Sequence, residues 1–271
     1  MQSGLNGKPR NPLQTGPAKR VVLLGASNLT RGISTVIRLA QLSLGGPLQV
    51  LAALGHGRSY GLYSRVLVRE LPGIDECGIW HALEDGRPAP TWALITDIGN
   101  DVFYGATTDE IIRWVERALD RLAAHQARVV MTLLPTDNAA HISPWRFRLM
   151  RRLMFRSCVL ELDEVHAITL EINERLRALA RDRAIELIAQ RNCWYGFDPI
   201  HIRLAQWPHA WGEILSTWRN ESRAGFSLEP SLARWLYLRS LPPLERSLFG
   251  RVRRAAQPAG RLADGTTISF Y

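Results

Sequence analysis

The chain contains five short segments in which apolar residues follow one another with little polar alternation. They span residues 20–24, 48–54, 91–96, 128–134 and 184–189. Continuous apolar runs of this length are typical of strands that are buried on both faces of a sheet. The pattern therefore predicts five buried strands.

Helical patterns lie between these runs. A helix is predicted from Ile33 to Leu42, and Thr107 and Glu110 have the spacing of a capping box. Two further apolar stripes at helical spacing precede the fourth and fifth runs: Ile111, Ile112, Val115, Leu119 and Leu122, then Val165, Ile168, Ile172, Leu176 and Leu179. Alternating strands and helices favour a parallel sheet covered by helices, and such sheets bind ligands at the carboxyl ends of their strands.

The length and composition are those of a chain that can bury a full core. It has 271 residues, of which 46% are hydrophobic and 22% charged. We interpret residues 1–18 as a flexible N-terminal segment, 19–205 as the main domain, and 206–271 as a C-terminal extension that packs on the domain or is partly flexible. The extension is rich in Trp and Arg, and its tryptophans favour ordinary packing, with an acyl-chain pocket or a membrane-surface contact as alternatives.

The formal net charge of +9 comes almost entirely from arginines spread along the chain, because Lys8 and Lys19 are the only lysines. The arginines are not interleaved with aromatic residues as in known nucleic-acid modules, so we expect no nucleic-acid partner. No apolar segment is long enough to span a membrane, which predicts a soluble, cytoplasmic protein with at most weak peripheral membrane contact. The three cysteines lack metal-ligand spacing, so neither a disulfide framework nor a metal site is expected.

Residues suited to catalysis follow the predicted strands. Ser27 comes after the first strand and before a helix, where spare N–H groups favour a nucleophile and where a capping serine is equally ordinary. Gly57 lies in a glycine-rich loop after the second strand, and this loop fits neither common phosphate-binding motif. Asn100 follows the third strand, where its side-chain amide could donate to a developing negative charge or form a turn.

Asp198 precedes His201 by three residues after the fifth strand. A hydroxyl nucleophile needs an imidazole to take its proton and a carboxylate to fix the imidazole tautomer, and this pair supplies both. A single Asp-Pro-x-His sequence is also common in surface turns. Each of these residues, taken alone, is explained as well by a turn or a cap.

The ordered set is more specific, because Ser27, Gly57, Asn100 and His201 each follow a strand in turn. In this order they resemble the four sequence blocks of the SGNH/GDSL hydrolases, over a region from about Val21 to His201. The resemblance implies a three-layer α/β/α sandwich with a central parallel, flavodoxin-like, five-stranded sheet. The chain departs from the family pattern at Ala26, where an aspartate is usual, and in a third block that is one residue shorter.

The resemblance also implies roles for these residues. Ser27 would be the nucleophile, His201 the general base and Asp198 the group that orients it. The N–H groups of Ser27 and Gly57 and the side chain of Asn100 would form the oxyanion hole. The implied activity is hydrolysis of a small-molecule acyl ester without a metal or organic cofactor.

Two other interpretations remain open. Ala26 and the basic, Trp-rich extension are consistent with a catalytically weak or inactive binding module that retains the fold. Alternatively, the extension could exclude water and present a second acceptor, which would make the protein an acyltransferase.

Overall fold

The computed structural model describes residues 19–66, 68–135, 158–218 and 231–271, together with Trp145, Phe147, Arg148, Arg151 and Arg152. The segment 1–18, expected to be flexible, lies outside the described residues. The strands are β1 (Lys19–Leu24), β2 (Leu48–Ala53), β3 (Ser64–Val66), β4 (Arg69–Leu71), β5 (Thr91–Ile95), β6 (Arg128–Thr132), β7 (Glu186–Ile188), β8 (Glu245–Leu248), β9 (Arg251–Arg254), β10 (Gly260–Arg261) and β11 (Thr267–Phe270). The α-helices are α1 (Ser27–Leu44), α2 (Ile79–Glu84), α3 (Asn100–Phe103), α4 (Thr108–Ala124), α5 (Leu162–Asp182), α6 (Trp207–Ile214) and α7 (Leu232–Ser240).

The main sheet has the strand order β10-β11-β2-β1-β5-β6-β7, and only β10 runs antiparallel to its neighbour. The five strands expected from the apolar runs are adjacent in this sheet. Their order, β2-β1-β5-β6-β7, is the flavodoxin-like one. This confirms the predicted fold class. The sheet has two strands more than the five expected, because β11 pairs in parallel with β2 and brings β10 with it.

Both faces of the sheet are covered, which explains the continuous apolar runs. In β1, Val21 and Leu23 pack into the core beneath α1 and α6, whereas Val22 and Leu24 pack into the core beneath α4 and α5. All four side chains are fully buried. The apolar stripe expected in α4 is buried, and its capping box forms between Thr107 and Glu110. The three-layer arrangement therefore follows from the alternation seen in the sequence.

Tryptophans from the C-terminal residues fill the core between α1 and α6. Trp207, Trp211 and Trp218 are buried there, which confirms the packing interpretation for these three. The indole of Trp211 lies directly against Gly32, where an added Cβ would be 2.2 Å from its Nε1 atom. Glycine at this position therefore allows α6 to approach α1.

A second, antiparallel sheet has the order β3-β4-β8-β9. Its central contact pairs β4 with β8, so that Arg69 lies opposite Leu248 and Glu70 opposite Ser247. Strands β8 and β9, from the C-terminal part of the chain, therefore pack beside β3 and β4, which follow the glycine-rich loop. Within the described ranges, no helix is long and apolar enough to cross a membrane.

Candidate active site

Ser27 is the first residue of α1 and is almost completely buried. The helix therefore begins at Ser27, and the expected start at Ile33 is wrong. The first N–H groups of a helix have no partner within the helix and need acceptors from outside it. The residue before the helix, Ala26, has no side-chain oxygen and makes no cap.

Asp97, from the end of β5, supplies the missing acceptor. One oxygen of its carboxylate accepts hydrogen bonds from the N–H groups of Ala26 at 2.9 Å and Leu29 at 3.1 Å. A capping side chain ordinarily accepts from this position of the helix, so Asp97 caps α1 from another strand. Its φ of 61° lies in the left-handed region, which Asp tolerates better than most residues. The sequence analysis does not identify Asp97, although its place just after a strand is the signal that could have done so.

Asn28 joins the start of α1 to the loop that carries His201. Its side-chain nitrogen donates to Asp97 Oδ1 at 2.9 Å and to the carbonyl of Ile200 at 3.0 Å. Its side-chain oxygen accepts from the N–H of Ile202 at 2.8 Å. One buried amide thus fixes the position of residues 200–202 relative to the helix that Ser27 begins. Sequence reasoning missed this residue, because nothing local distinguishes it from an ordinary asparagine.

Asp198 and His201 form a hydrogen-bonded pair. Nδ1 of His201 lies 2.7 Å from Oδ2 of Asp198, and the N–H groups of Ile200 and His201 donate to Oδ1 at 3.1 and 3.2 Å. Partial burial acts to raise the pKa of Asp198, but the His201 ring and these N–H groups outweigh it and hold the pKa below its ordinary value. An ionised carboxylate only accepts hydrogen bonds, so Nδ1 of His201 is the donor in this contact and Nε2 is the ring nitrogen left for another partner.

Asn100 begins α3, and its side-chain nitrogen donates to the carbonyl of Arg58 at 3.1 Å. The next residue, Asp101, is fully buried and accepts hydrogen bonds from the Ser59 hydroxyl and from the Tyr60 N–H at 3.0 Å. Burial raises the pKa of Asp101 to about 6, although these hydrogen bonds act in the opposite direction. The Asn-Asp pair therefore holds the glycine-rich loop against the end of β5.

Gly57 lies in this loop with a φ of 64°, a conformation that favours glycine. A Cβ here would also lie 2.7 Å from Val66 Cγ2. The carbonyl of Gly57 accepts a hydrogen bond from the Tyr104 hydroxyl at 2.6 Å. Gly57 is thus positioned by Tyr104, directly after α3, and by Val66 of β3 in the second sheet.

His56 lies beside the pair formed by Asp198 and His201. Burial, together with the positive charges of Arg239 and Arg69 and the neighbouring His201, lowers the pKa of His56 to about 4. Its Nε2 atom is 3.4 Å from the guanidinium of Arg239. The surroundings of His56 are therefore electropositive.

Ser27, Asn100, Pro199 and Ile200 line one pocket at the carboxyl ends of the strands. Its remaining wall is largely apolar and includes Ile98, Val102, Phe103, Leu133, Leu134 and Val165. The structure thus brings the nucleophile candidate and Asn100 together with the loop of Asp198 and His201. Gly57 is connected to them through the contact between Asn100 and Arg58. Ser27 and His201 are both described, and no hydrogen bond joins their side chains.

No group of three or more His, Cys, Asp or Glu side chains in the described part of the chain could hold a metal ion. The cysteines Cys77, Cys158 and Cys193 are free thiols.

No protein-family model matches the sequence, and no curated protein matches it. Solved structures do match the fold. Est24, a carbohydrate acetylesterase from Sinorhizobium meliloti, has a TM-score of 0.51 at 15% identity, over 73% of this chain and 97% of that chain. The native aryl esterase of M. smegmatis has a TM-score of 0.50 at 15% identity, over 74% of this chain and 97% of that chain. The chain therefore has the fold of these two esterases, in agreement with the expected α/β/α sandwich.

Proposed function

We propose that the protein is a serine esterase that hydrolyses acyl esters through an acyl-enzyme on Ser27. The observation that carries the proposal is the 2.7 Å contact between His201 and Asp198, held by Asn28 against the helix that begins at Ser27. The likeness in fold to a carbohydrate acetylesterase and an aryl esterase supports an ester as the substrate class.

In the first step, Oγ of Ser27 attacks the ester carbonyl while Nε2 of His201 takes the hydroxyl proton. Asp198 accepts the Nδ1 hydrogen bond and stabilises the imidazolium that forms. Because the pKa of Asp198 is held below its ordinary value, the carboxylate stays ionised throughout. The proton therefore remains on His201 until the leaving group takes it.

The negative oxygen of the tetrahedral intermediate needs hydrogen-bond donors. Ser27 offers its N–H at the positive end of α1, and Gly57 offers its N–H from the glycine-rich loop. The side-chain nitrogen of Asn100 has two hydrogens, of which one is engaged by the Arg58 carbonyl and the other is left for the oxyanion. Each such donor is worth about 10²–10³-fold in rate.

The intermediate collapses when the bond to the alcohol oxygen breaks and His201 returns its proton to that oxygen. A water molecule, deprotonated by His201, then attacks the acyl-enzyme and releases the acid and free Ser27. No metal or organic cofactor takes part. The apolar wall of the pocket beside Ser27 favours an apolar acyl group.

Labelling with a fluorophosphonate and hydrolysis of 4-nitrophenyl acetate test the proposal together. Both should disappear in Ser27→Ala and fall strongly in His201→Ala. Ser43→Ala is the matched control, because Ser43 is also a buried serine of α1 but lies at its other end. Full activity in purified, folded Ser27→Ala would refute the assignment.

The same experiments separate the alternatives. A folded wild-type protein that neither reacts with the probe nor hydrolyses esters would favour the binding module. Formation of a new ester with an added alcohol or sugar, in place of acid release, would identify an acyltransferase.

A further inference from the structure

A groove lined by arginines runs away from Ser27 along the surface of α1. Four arginines line it, two from α1 and two from α7, and Trp207 and Trp235 form its aromatic wall. We call it the arginine groove: Arg31, Arg38, Arg234 and Arg239 with Trp207 and Trp235.

The spacing along α1 connects the groove to the candidate active site. Ser27, Arg31, Ser34 and Arg38 follow one another at intervals of three or four residues, so they share one face of the helix. With a rise of about 1.5 Å per residue, Arg31 lies roughly 6 Å and Arg38 roughly 16 Å beyond Ser27 along the helix axis. A single substrate can therefore react at Ser27 and occupy the groove at the same time.

Contacts at the end of the groove nearest to Ser27 also connect it to the candidate active site. The guanidinium of Arg31 lies 3.9 Å from the carboxylate of Asp198. That of Arg239 lies 3.4 Å from Nε2 of His56, the residue before Gly57. Arg31 thus contacts a candidate catalytic residue directly, and Arg239 contacts the residue next to Gly57.

The arginines are held in place mainly by neutral partners. Arg234 donates to the Ser34 hydroxyl at 3.1 Å, and Arg239 stacks on the Trp235 ring at 4.8 Å. Across the described residues, these four arginines take part in one ion pair, that of Arg31 with Asp198. The guanidinium groups of Arg234 and Arg239 are therefore oriented by neutral partners, whereas Arg31 is paired with Asp198.

Among the described residues, a second acid near the groove is Asp264, which only weakly offsets the charge at Arg234. Burial and the positive charge of Arg38 lower the pKa of Arg234, and Asp264 opposes the shift without cancelling it. The Asp264 carboxylate is itself engaged by the Gln41 amide at 2.7 Å and by the Thr266 N–H at 3.0 Å. Like charges gathered in one groove are unfavourable unless an anion balances them.

From this geometry we propose that the arginine groove binds an anionic group, a phosphate or carboxylate, on the alcohol portion of the ester. The inference rests on the proposed esterase function. The acyl portion is assigned to the opposite side of Ser27, where the pocket is apolar. The alcohol portion then extends along α1 towards Arg31 and Arg38, and planar guanidinium groups are well suited to bind either anion.

Kinetics with matched esters test the inference. The alcohol-side pair is 1-acetylglycerol and 1-acetylglycerol 3-phosphate, followed by acetate release. We expect the phosphate-bearing ester to have a kcat/KM at least about tenfold higher at low salt, with the difference shrinking as salt is added. The acyl-side pair is 4-nitrophenyl pentanoate and the 4-nitrophenyl monoester of glutaric acid, for which we expect no preference for the charged ester.

Variants then assign the preference to the groove. Arg38→Gln combined with Arg234→Gln should reduce the phosphate preference to about threefold or less, because both substitutions remove a positive charge and keep a polar side chain. Arg183→Gln is the matched control, since Arg183 pairs with Asp120 at the far end of α5, and it should keep the preference. Equal hydrolysis of the two glycerol esters, a preference on the acyl side, or an unchanged preference in the double variant would each overturn the inference while leaving the esterase proposal standing.

A binding measurement covers the case in which no ester is hydrolysed. Glycerol 3-phosphate should bind Ser27→Ala in calorimetric titrations, and at least about tenfold more weakly when Arg38→Gln and Arg234→Gln are added. Absence of binding, or binding that the added substitutions leave unchanged, would overturn the groove assignment. If glycerol 3-phosphate binds in this way but the wild-type protein hydrolyses no ester, the esterase function is refuted and an anion-binding groove remains.

Discussion

Replacing Asp97 by alanine tests whether a carboxylate from β5 positions the start of α1. The substitution removes the acceptor of three hydrogen bonds, from the N–H groups of Ala26 and Leu29 and from the Asn28 side chain. Hydrogen bonds to a charged group are worth about 1.5–3 kcal/mol each, but bonds that share one carboxylate do not add fully. Alanine also tolerates the left-handed φ of 61° less well than Asp.

We expect the free energy of unfolding of Asp97→Ala to fall by about 3 kcal/mol. For a domain of this size, that loss corresponds to a decrease of about 6–12 °C in Tm. Calorimetry or circular dichroism measures it without reference to any reaction. If Ser27 is the nucleophile, kcat should also fall by at least about tenfold, because a misplacement of about 1 Å can cost 10²-fold.

Two further variants sharpen the result. Asp97→Asn keeps one acceptor oxygen and tolerates the backbone conformation, so it should recover about half of the lost stability. Asp109→Ala is the matched control, because Asp109 lies near the start of a helix, as the Asp97 carboxylate does, but is exposed and is paired with Arg175. It should change stability by at most about 1 kcal/mol. A Tm of Asp97→Ala within about 2 °C of wild type would show that the cap from β5 is unimportant.

Three other substitutions have expected outcomes. Asn100→Ala should lower kcat for 4-nitrophenyl acetate by about 10²–10³-fold with little change in KM, and an unchanged kcat would exclude it from the oxyanion hole. The pKa of His56 is lowered to about 4 in the folded protein, so the unfolded chain binds its proton first and stability is lost as pH falls from about 6.5 to 4. Urea unfolding at pH 7 and pH 4.5 should therefore show a smaller acid loss for His56→Gln than for wild type, and an equal loss would contradict the shift. Gly32→Ala should destabilise the protein by about 1–3 kcal/mol because its Cβ would overlap the Trp211 indole, and a wild-type Tm would show that α6 can move away.

The sequence by itself determined the features that depend on neighbouring residues. Continuous apolar runs indicated five of the seven strands of the main sheet, because a strand covered on both faces needs apolar side chains at successive positions. The capping box of Thr107 and Glu110 and the pairing of Asp198 with His201 each lie within three residues, so a short loop or helix end brings them together. Local spacing was sufficient for these contacts.

Tertiary structure alone decided the contacts between distant segments. The cap that Asp97 provides to α1, the placement of β11 beside β2, and the gathering of arginines from α1 and α7 all join residues far apart in the chain. None of them leaves a periodic pattern, because a side chain that acts across the sheet looks locally like a turn or surface residue. The start of α1 was misjudged for this reason, since its capping group belongs to another strand.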